Sequence, residues 1–258
     1  MLRDAWDANA GEWVRWARAP GHDSYWKFHR DAFLPLVPAP GRLTLDVGCG
    51  EGRLSRDLTR LGHRVLSLDA SLAMAHAAAT HPDAEAGGGH SVAADASRLP
   101  LRDGVADCVV SFMALQDIDD MEGAIADAAR VLEPGGHFVV AITHPLNTAG
   151  AFARFPAGAG IVERDRPFVI DGSWFERRRI TDRAERDGYA MTFTMEHRPL
   201  HDYTEALADA GFVLERLREV TDPDRNDKWH RIPLFLHLRT RLAPSGSRPP
   251  EVEVRGSH

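Results

Sequence analysis

Residues 43–53 read LTLDVGCGEGR, and the rest of the chain is organised around them. Four residues of alternating apolar character, Leu43 to Asp46, run into Val47 and then Gly48-Cys49-Gly50-Glu51-Gly52, after which Leu54, Leu58 and Leu61 recur at helical spacing. The stretch predicts a buried strand, a glycine turn and an amphipathic helix, the arrangement that holds a nucleotide-type ligand at the end of a parallel sheet. Glycine is required where a ligand lies against bare backbone and where the turn demands positive φ. The first turn of the helix leaves backbone N–H groups free for that ligand.

A dinucleotide fingerprint would place a third glycine where this chain has Arg53, which disfavours a nicotinamide dehydrogenase. The pattern here is D-x-G-x-G-x-G, with Asp46 two residues before Gly48. It resembles motif I of the class I S-adenosylmethionine (SAM) methyltransferases. A second apolar strand, HRVLSLD over residues 63–69, closes in Asp69. In a doubly wound sheet an acid about 20 residues beyond the glycines binds ribose hydroxyls. Together the two acids argue against a glycine turn that serves no ligand.

A length of 258 residues suits one large α/β domain, or a domain plus an insert. A formal charge of −7 disfavours a nucleic-acid reader, whose footprint is a basic patch. The two cysteines, Cys49 in the turn and Cys108 in an apolar run, give no disulfide framework. No apolar run approaches 18 residues and residues 1–7 are too polar for a signal peptide, so a cytoplasmic protein with no membrane span is expected. Neither an internal repeat nor a coiled-coil heptad is present.

Residues 1–40 carry Trp6, Trp13, Trp16, Tyr25, Trp26, Phe28 and Phe33 among charged residues, and predict helices over 4–17 and 24–36. They form a helical cap on the sheet, with Tyr25 and His29, one turn apart, directed at the ligand pocket. Ser71 caps a helix over 72–80, and the glycines at 87–89 break the chain. A third strand, HSVAAD over 90–95, ends at Asp95-Ala96. VADCVVSFM over 105–113 reads as a central strand buried on both faces. Residues 117–120 introduce a further helix, and a fifth strand over 137–143 stops at His144-Pro145.

LDVGCGEG, LDAS, ADASRLPL, DCVVSFMALQD and ARVLEPGGHFVVAI, in that order over residues 41–143, resemble the successive motifs of the type 11 methyltransferases. That group contains the ubiquinone/menaquinone C-methyltransferases. The resemblance implies a Rossmann-like α/β fold, with a seven-stranded, mostly parallel sheet whose last strand is antiparallel, and SAM as cofactor. It also implies roles by position. Gly48 and Gly50, with Cys49 between them, approach the methionine part, and Asp46 buttresses their turn. Asp69 takes the ribose hydroxyls, while Ala70 and Met74 lie near the adenine. Asp95 accepts from the adenine amino group and Ala96 gives the ring a backbone N–H. Ser111 and Phe112 stand beside the methionine amine. Several relatives carry a histidine after strand four; Gln116-Asp117 here excludes a catalytic histidine at that place.

Residues 146–200 exceed the usual connection after strand five and contain Phe152, Phe155, Phe168, Trp174, Phe175, Tyr189 and Phe193. Such enrichment predicts a packed lid over an apolar acceptor pocket. Arg177-Arg178-Arg179 reads as a solvated strand edge, with the first and third arginines on one face. A helix from Asp202, ended by Gly211, then a strand over 212–220, a polar turn and a final strand over 232–239 match the family's ending. The expected organisation is a cap over 1–40, a SAM-binding core over 41–145, a lid over 146–200, the rest of the core over 201–241 and a flexible tail over 242–258. The terminal Arg255-Gly256-Ser257-His258 reads as a tag remnant without function.

Amino-methylating nucleic-acid enzymes resemble one another in an Asn/Asp-Pro-Pro-aromatic run after strand four; this chain has Ser111-Phe112-Met113-Ala114. Cytosine C5 enzymes use a cysteine after proline, and neither cysteine follows one. Asp117, Asp119 and Asp120 are the local acids for a metal, and at a helix start acids serve the cap and the dipole, so no metal is expected. The expected function is methyl transfer from SAM to a small, partly apolar molecule, either a secondary metabolite or a prenyl/quinone-like precursor. The alternative is a SAM-binding protein of the same fold without methyl transfer, since a fold hosts both. As proton acceptor the sequence offers His144 first, because it ends strand five at the open crevice and an imidazole titrates near neutrality. His197, His201 and Tyr25 with His29 are the rivals. The acceptor, the atom methylated and the oligomeric state are left open.

Overall fold

The structure, a computed structural model, describes residues 1–83, 90–156 and 160–244. The glycines at 87–89 and the tail beyond 244 lie outside the described residues. Uninterrupted apolar runs form the centre of the sheet because helices cover both of its faces. In chain order the strands are β1 (Thr44–Val47), β2 (Val65–Asp69), β3 (Ser91–Ala93), β4 (Ala106–Phe112), β5 (Leu132–Thr143), β6 (Gly150–Phe152), β7 (Phe168–Ile170), β8 (Arg178–Arg186), β9 (Tyr189–His197), β10 (Phe212–Val220) and β11 (Phe235–Leu242). Seven of them make the main sheet in the order β10-β11-β5-β4-β1-β2-β3. β3, β2, β1, β4 and β5 run parallel, and β11 alone is antiparallel to both of its neighbours.

The helices are α1 (Leu2–Arg18), α2 (Arg30–Phe33), α3 (Arg53–Arg60), α4 (Leu72–Ala79), α5 (Met121–Val131), α6 (Pro145–Ala149) and α7 (Leu200–Asp209). One face of the sheet buries Val109, Phe138, Val140 and Ile142 against Met121 and Ile125 of α5 and Tyr203 and Leu207 of α7. The opposite face buries Cys108, Val110, Phe112, Val139 and Ala141 against Leu54 and Leu58 of α3 and Tyr25, Phe33 and Leu36 of the arm. Each fully buried leucine or phenylalanine contributes roughly 1.5–3 kcal/mol, so the arm is part of the core.

Local chemistry sets most boundaries. Ser71 Oγ accepts from the Met74 amide and starts α4, and Asp120 Oδ1 accepts from the Gly123 amide and starts α5. α7 is followed by Gly211 at φ +85°, where a side chain would be strained. The second arm helix is less regular than the pattern predicts: Tyr25–His29 is a π-turn, α2 is one turn long, and a 3-10 turn follows at Leu34–Leu36. β5 begins at Leu132, five positions early, because the Pro134-Gly135-Gly136 segment pairs irregularly beside β4 instead of forming a separate turn.

Two antiparallel ribbons fill the insert, β6 with β7 and β8 with β9, the latter turning at Asp187-Gly188 with φ of 52° and 79°. Three of its seven aromatics divide between two neighbours. Phe152 and Phe168 pack on Trp229, whereas Phe193 of β9 packs on α1. No helix among the described residues is long and apolar enough to cross a membrane.

Candidate active site

β1, β2, β4 and β5 all end on one edge of the sheet, and the glycine turn lies across it. Gly48, Gly50 and Gly52 adopt φ of 74°, 56° and 85°. A Cβ on Gly48 would overlap Ala114, so the segment leaving β4 lies directly against the turn. A Cβ on Gly50 would meet Trp13 Nε1 of α1 at 3.0 Å, so α1 passes over the turn from the other side.

The strand-end acids are drawn to this turn. Asp69 Oδ2 accepts from the Gly50 amide at 2.8 Å and Oδ1 from the Ser71 amide at 2.9 Å. Asp46 Oδ2 accepts from Ser55 Oγ at 2.6 Å, while its Oδ1 is buried with no partner. Burial pushes Asp46 up to about 7 and Asp69 up to about 6; the hydrogen bonds they accept oppose that rise. Burial also raises the Cys49 thiol, which lies in the turn with its Sγ toward the Gly50 carbonyl.

The remaining residues implied by the motifs are spread along the same edge. Met74 is buried on α4, and Ala70 is exposed beside Asp69. Asp95 is exposed and closes a tight turn, its Oδ1 accepting from both the amide and the hydroxyl of Ser97, with Ala96 buried behind it. Ser111 and Phe112 point to opposite faces of β4, as strand alternation requires. Ser111 Oγ is buried and unpartnered, while Phe112 packs on Tyr25, His29 and Phe33 at ring distances of 5.4, 4.5 and 4.9 Å.

A buried charge network that the motifs do not reveal holds the arm over the turn. Glu51 joins Arg56 at 2.7 Å and Arg18 of α1 at 2.9 Å, and Arg18 also donates to the Ala77 carbonyl. Arg53, in the third-glycine place, pairs with Asp23 at 2.6 Å and lies 4.2 Å from the Tyr25 ring centre and 4.9 Å from that of Trp13. Trp6, Trp13 and Trp16 each meet Phe193 edge-on at 5.9–6.5 Å. Their spacing of seven and three was the available signal for one shared helix face.

Tyr25, His144 and His197, put forward as proton acceptors, are hydrogen-bonded, whereas His29 Nε2 is buried without a partner. Tyr25 donates its hydroxyl to Asp57 Oδ2 at 2.8 Å, and burial raises its pKa, so it anchors the arm to α3 and is not free to take a proton. His29 stacks 3.7 Å from Phe235 and 4.8 Å from His237, and burial pushes its pKa well down. His144 Nδ1 accepts from the Leu146 amide at 3.0 Å and caps α6, which leaves Nε2–H to donate to Glu219 at 3.2 Å. Burial lowers its pKa, and Glu219 opposes the fall. His197 donates from Nε2 to the Trp174 carbonyl at 3.0 Å and contacts Thr148 Oγ1 through Nδ1 at 2.7 Å. His201 is exposed beside Asp202.

The acids after β4 divide three ways. Asp120 caps α5, and Asp119 accepts from the Leu2 amide and from Arg179. Asp117 turns inward, where its Oδ2 accepts from Gln116 Nε2 at 3.3 Å and its Oδ1 is buried with no partner. Burial raises its pKa well above the usual range, against the pull of Arg198. Met113, at φ 60°, produces this turn, and Gln116 Nε2 ties it down by donating to the Met113 carbonyl at 2.8 Å. The arginine run is occupied: Arg177 pairs with Asp202 and Glu122, Arg179 with Asp119, and Arg178 faces the other way toward the Ala149 carbonyl. Among the described residues no group of three or more His, Cys, Asp or Glu is placed to hold a metal ion.

The profile of the methyltransferase domain matches residues 45–140, the span from β1 into β5 that carries this edge. The ubiquinone/menaquinone biosynthesis C-methyltransferase UbiE of Acidiphilium cryptum is 33% identical over 179 residues, which cover 64% of this chain and 71% of that protein. The chain belongs to the type 11 methyltransferase-domain family. It is a SAM-dependent methyltransferase. A demethylmenaquinone methyltransferase of Thermobifida fusca is 34% identical over 122 residues, and there the chain spans only half of the relative's length. A SAM-dependent methyltransferase from Mesorhizobium loti shares the fold with a TM-score of 0.65 and 25% identity, covering 85% of this chain and 98% of that one. The cyclase SpnF, 16% identical with a TM-score of 0.62 over 94% of this chain and 95% of its own, shares the fold alone.

The residues present fit SAM. A cationic ligand with amine and hydroxyl donors suits an edge lined by Asp69 and by Asp46, whose Oδ1 is buried without a partner.

Proposed function

We propose that this methyltransferase acts in the cytoplasm on a small, partly apolar acceptor of the secondary-metabolite or prenyl/quinone-like kind. The observation that carries the reading is an orphaned buried oxygen, Asp46 Oδ1 of β1, on the same face of the sheet as Phe112 of β4 and beside the turn that Trp13 of α1 overlies. Buried polar atoms are almost always satisfied, so a ligand with hydrogen-bonding groups on one side and apolar surface on the other matches this place. The printed names of the relatives from Acidiphilium cryptum and Thermobifida fusca support a quinone-like class.

In this reading Gly48, Cys49 and Gly50 present backbone to the methionine part of SAM with Asp46 buttressing their turn, and Ser111 and Phe112 stand beside its amine. Asp69 accepts from the ribose hydroxyls, Ala70 and Met74 border the adenine, and Asp95 and Ala96 meet its edge. Residues 1–40 form the cap and residues 146–200 the lid, while residues 41–145 and 201–241 make the core. Bound SAM supplies an already activated methyl group. The chain's own work is to align the acceptor, exclude water and receive a proton where one is lost. His144, His197 and Tyr25 would each have to give up a hydrogen bond to do so; in their present bonding they support the reading as positioning residues.

Labelled SAM incubated with the protein and an apolar metabolite extract, alongside dithionite-reduced demethylmenaquinone, tests the acceptor class. Label is expected in the apolar fraction. Label transferred only to polar components would discard the class.

A further inference from the structure

We propose that Asp117 takes the proton from a hydroxyl group on the methyl acceptor. The proposal rests on the methyl-transfer reading of this crevice and adds to it a residue and a chemical class. Asp117 hangs from the segment that leaves β4, three residues after Ala114, which presses against Gly48, and its carboxyl feels the charge of Asp69 at the end of β2. Its Oδ2 is held by Gln116, which is itself held by the Met113 carbonyl; its Oδ1 is buried and faces no donor of this chain. A buried carboxylate oxygen with no partner is costly to keep, and a ligand that donates to it removes that cost.

Arg198 supplies the complement. Its guanidinium donates to the carbonyls of Leu115, Gln116, Ile118 and Asp119 and to Glu196, which locks the segment, while its Nε–H is buried without an acceptor. Gln116 Oε1 is also unpartnered. One wall therefore carries both an unused acceptor and an unused donor. A hydroxyl donates and accepts through a single atom, whereas an ammonium only donates, so the complement is a hydroxyl, such as that of a phenol or hydroquinone.

In the step, the acceptor's O–H bond breaks, its proton passes to Asp117 Oδ1 and its electron pair stays with the acceptor. That oxygen then bonds to the methyl carbon carried by SAM, and sulfur keeps the pair of the broken carbon–sulfur bond. Methylated acceptor, S-adenosylhomocysteine and a protonated Asp117 result, and the carboxyl returns its proton to water after release. Burial makes this carboxylate a stronger proton acceptor than an exposed one.

The full chain saturated with S-adenosylhomocysteine is titrated with 1-naphthol and with 1-methoxynaphthalene, which lacks the O–H. The unaltered protein is expected to prefer the naphthol at least tenfold, and Asp117→Asn to reduce the preference to within threefold. With SAM, methylation of 1-naphthol is expected to fall at least 100-fold in Asp117→Asn and to recover partly in Asp117→Glu, with SAM affinity by calorimetry within threefold throughout. Equal binding of the two naphthalenes, binding of neither, or unimpaired turnover in Asp117→Asn overturns the proposal. Should Asp117→Asn not fold, the comparison in the unaltered protein still decides. Loss of SAM binding in the unaltered protein would overturn the cofactor placement instead, and calorimetry reads that separately.

Discussion

The Gly50 amide donates a 2.8 Å hydrogen bond to Asp69 Oδ2, joining the glycine turn to the end of the neighbouring strand. The carboxylate is thus held in place before any ligand arrives, and each of its oxygens keeps a lone pair for a hydroxyl. Asp69→Ala is expected to weaken SAM binding at least tenfold, because hydrogen bonds to a charged group are worth roughly 1.5–3 kcal/mol each. Calorimetry on the folded variant is the check. Unchanged affinity would remove Asp69 from the cofactor site.

Asp46 imposes a pH dependence on the ligand-free protein. Its carboxyl is raised by burial to about 7, so the folded state prefers it protonated. That contribution is complete below the unfolded value near 4 and is lost as pH rises through 7. Asp46→Asn stays neutral throughout. Its melting temperature should therefore rise relative to the unaltered protein between pH 5 and pH 8, and a pH-independent difference would show that the carboxyl is solvated.

The stacked imidazoles act in the opposite direction. His237 is fully buried and lowered by burial to about 4, so the unfolded chain binds the proton more readily below pH 6.5. Stability is lost as pH falls from there toward 4. Replacing the ring by phenylalanine should stabilise the protein at pH 5, relative to pH 8, by about 2 kcal/mol. Urea melts at the two pH values measure it.

Gly48→Ala should harm the fold as well as the site. The new Cβ would overlap Ala114 and sit at φ +74°, and overpacking alone typically costs about 1–3 kcal/mol. Ala114→Gly in the same chain should return part of that loss. A double-mutant cycle showing no coupling would refute the contact.

His144→Ala is expected to cost on the order of 1 kcal/mol of stability through loss of the α6 cap and to lower kcat less than tenfold. Steady-state kinetics decide it. A loss of roughly 10²–10⁴ in kcat at constant SAM affinity would make the imidazole the base after all.

What the sequence reveals is what short stretches determine. The strand-to-helix passage through Gly48, Gly50 and Gly52, the Ser71 cap and the order of the motifs all depend on neighbours a few positions apart. Arg198 escapes such a reading because the carbonyls it binds lie 79–83 positions earlier in the chain. Topology places His144 correctly at the end of β5, yet Glu219, 75 positions on, occupies its second nitrogen. The aromatics of the insert read as one lid, whereas their partners Trp229 and α1 sort three of them into two groups. Spacing groups Asp117 with Asp119 and Asp120 as helix-start acids, whereas in the fold, after a left-handed Met113, its carboxyl is buried.

The helix that covers the crevice is synthesised well before the residues it packs on. Asn9 Nδ2 donates to the Thr192 carbonyl across 183 positions, and the Leu2 amide reaches Asp119 across 117. Until Phe193 has left the ribosome, Trp6, Trp13 and Trp16 lack the ring they share. Contacts of such separation slow folding and leave apolar surface open to self-association while the chain waits. A nascent or truncated chain that stops before β9 would therefore hold α1 over the ligand turn by its charges alone.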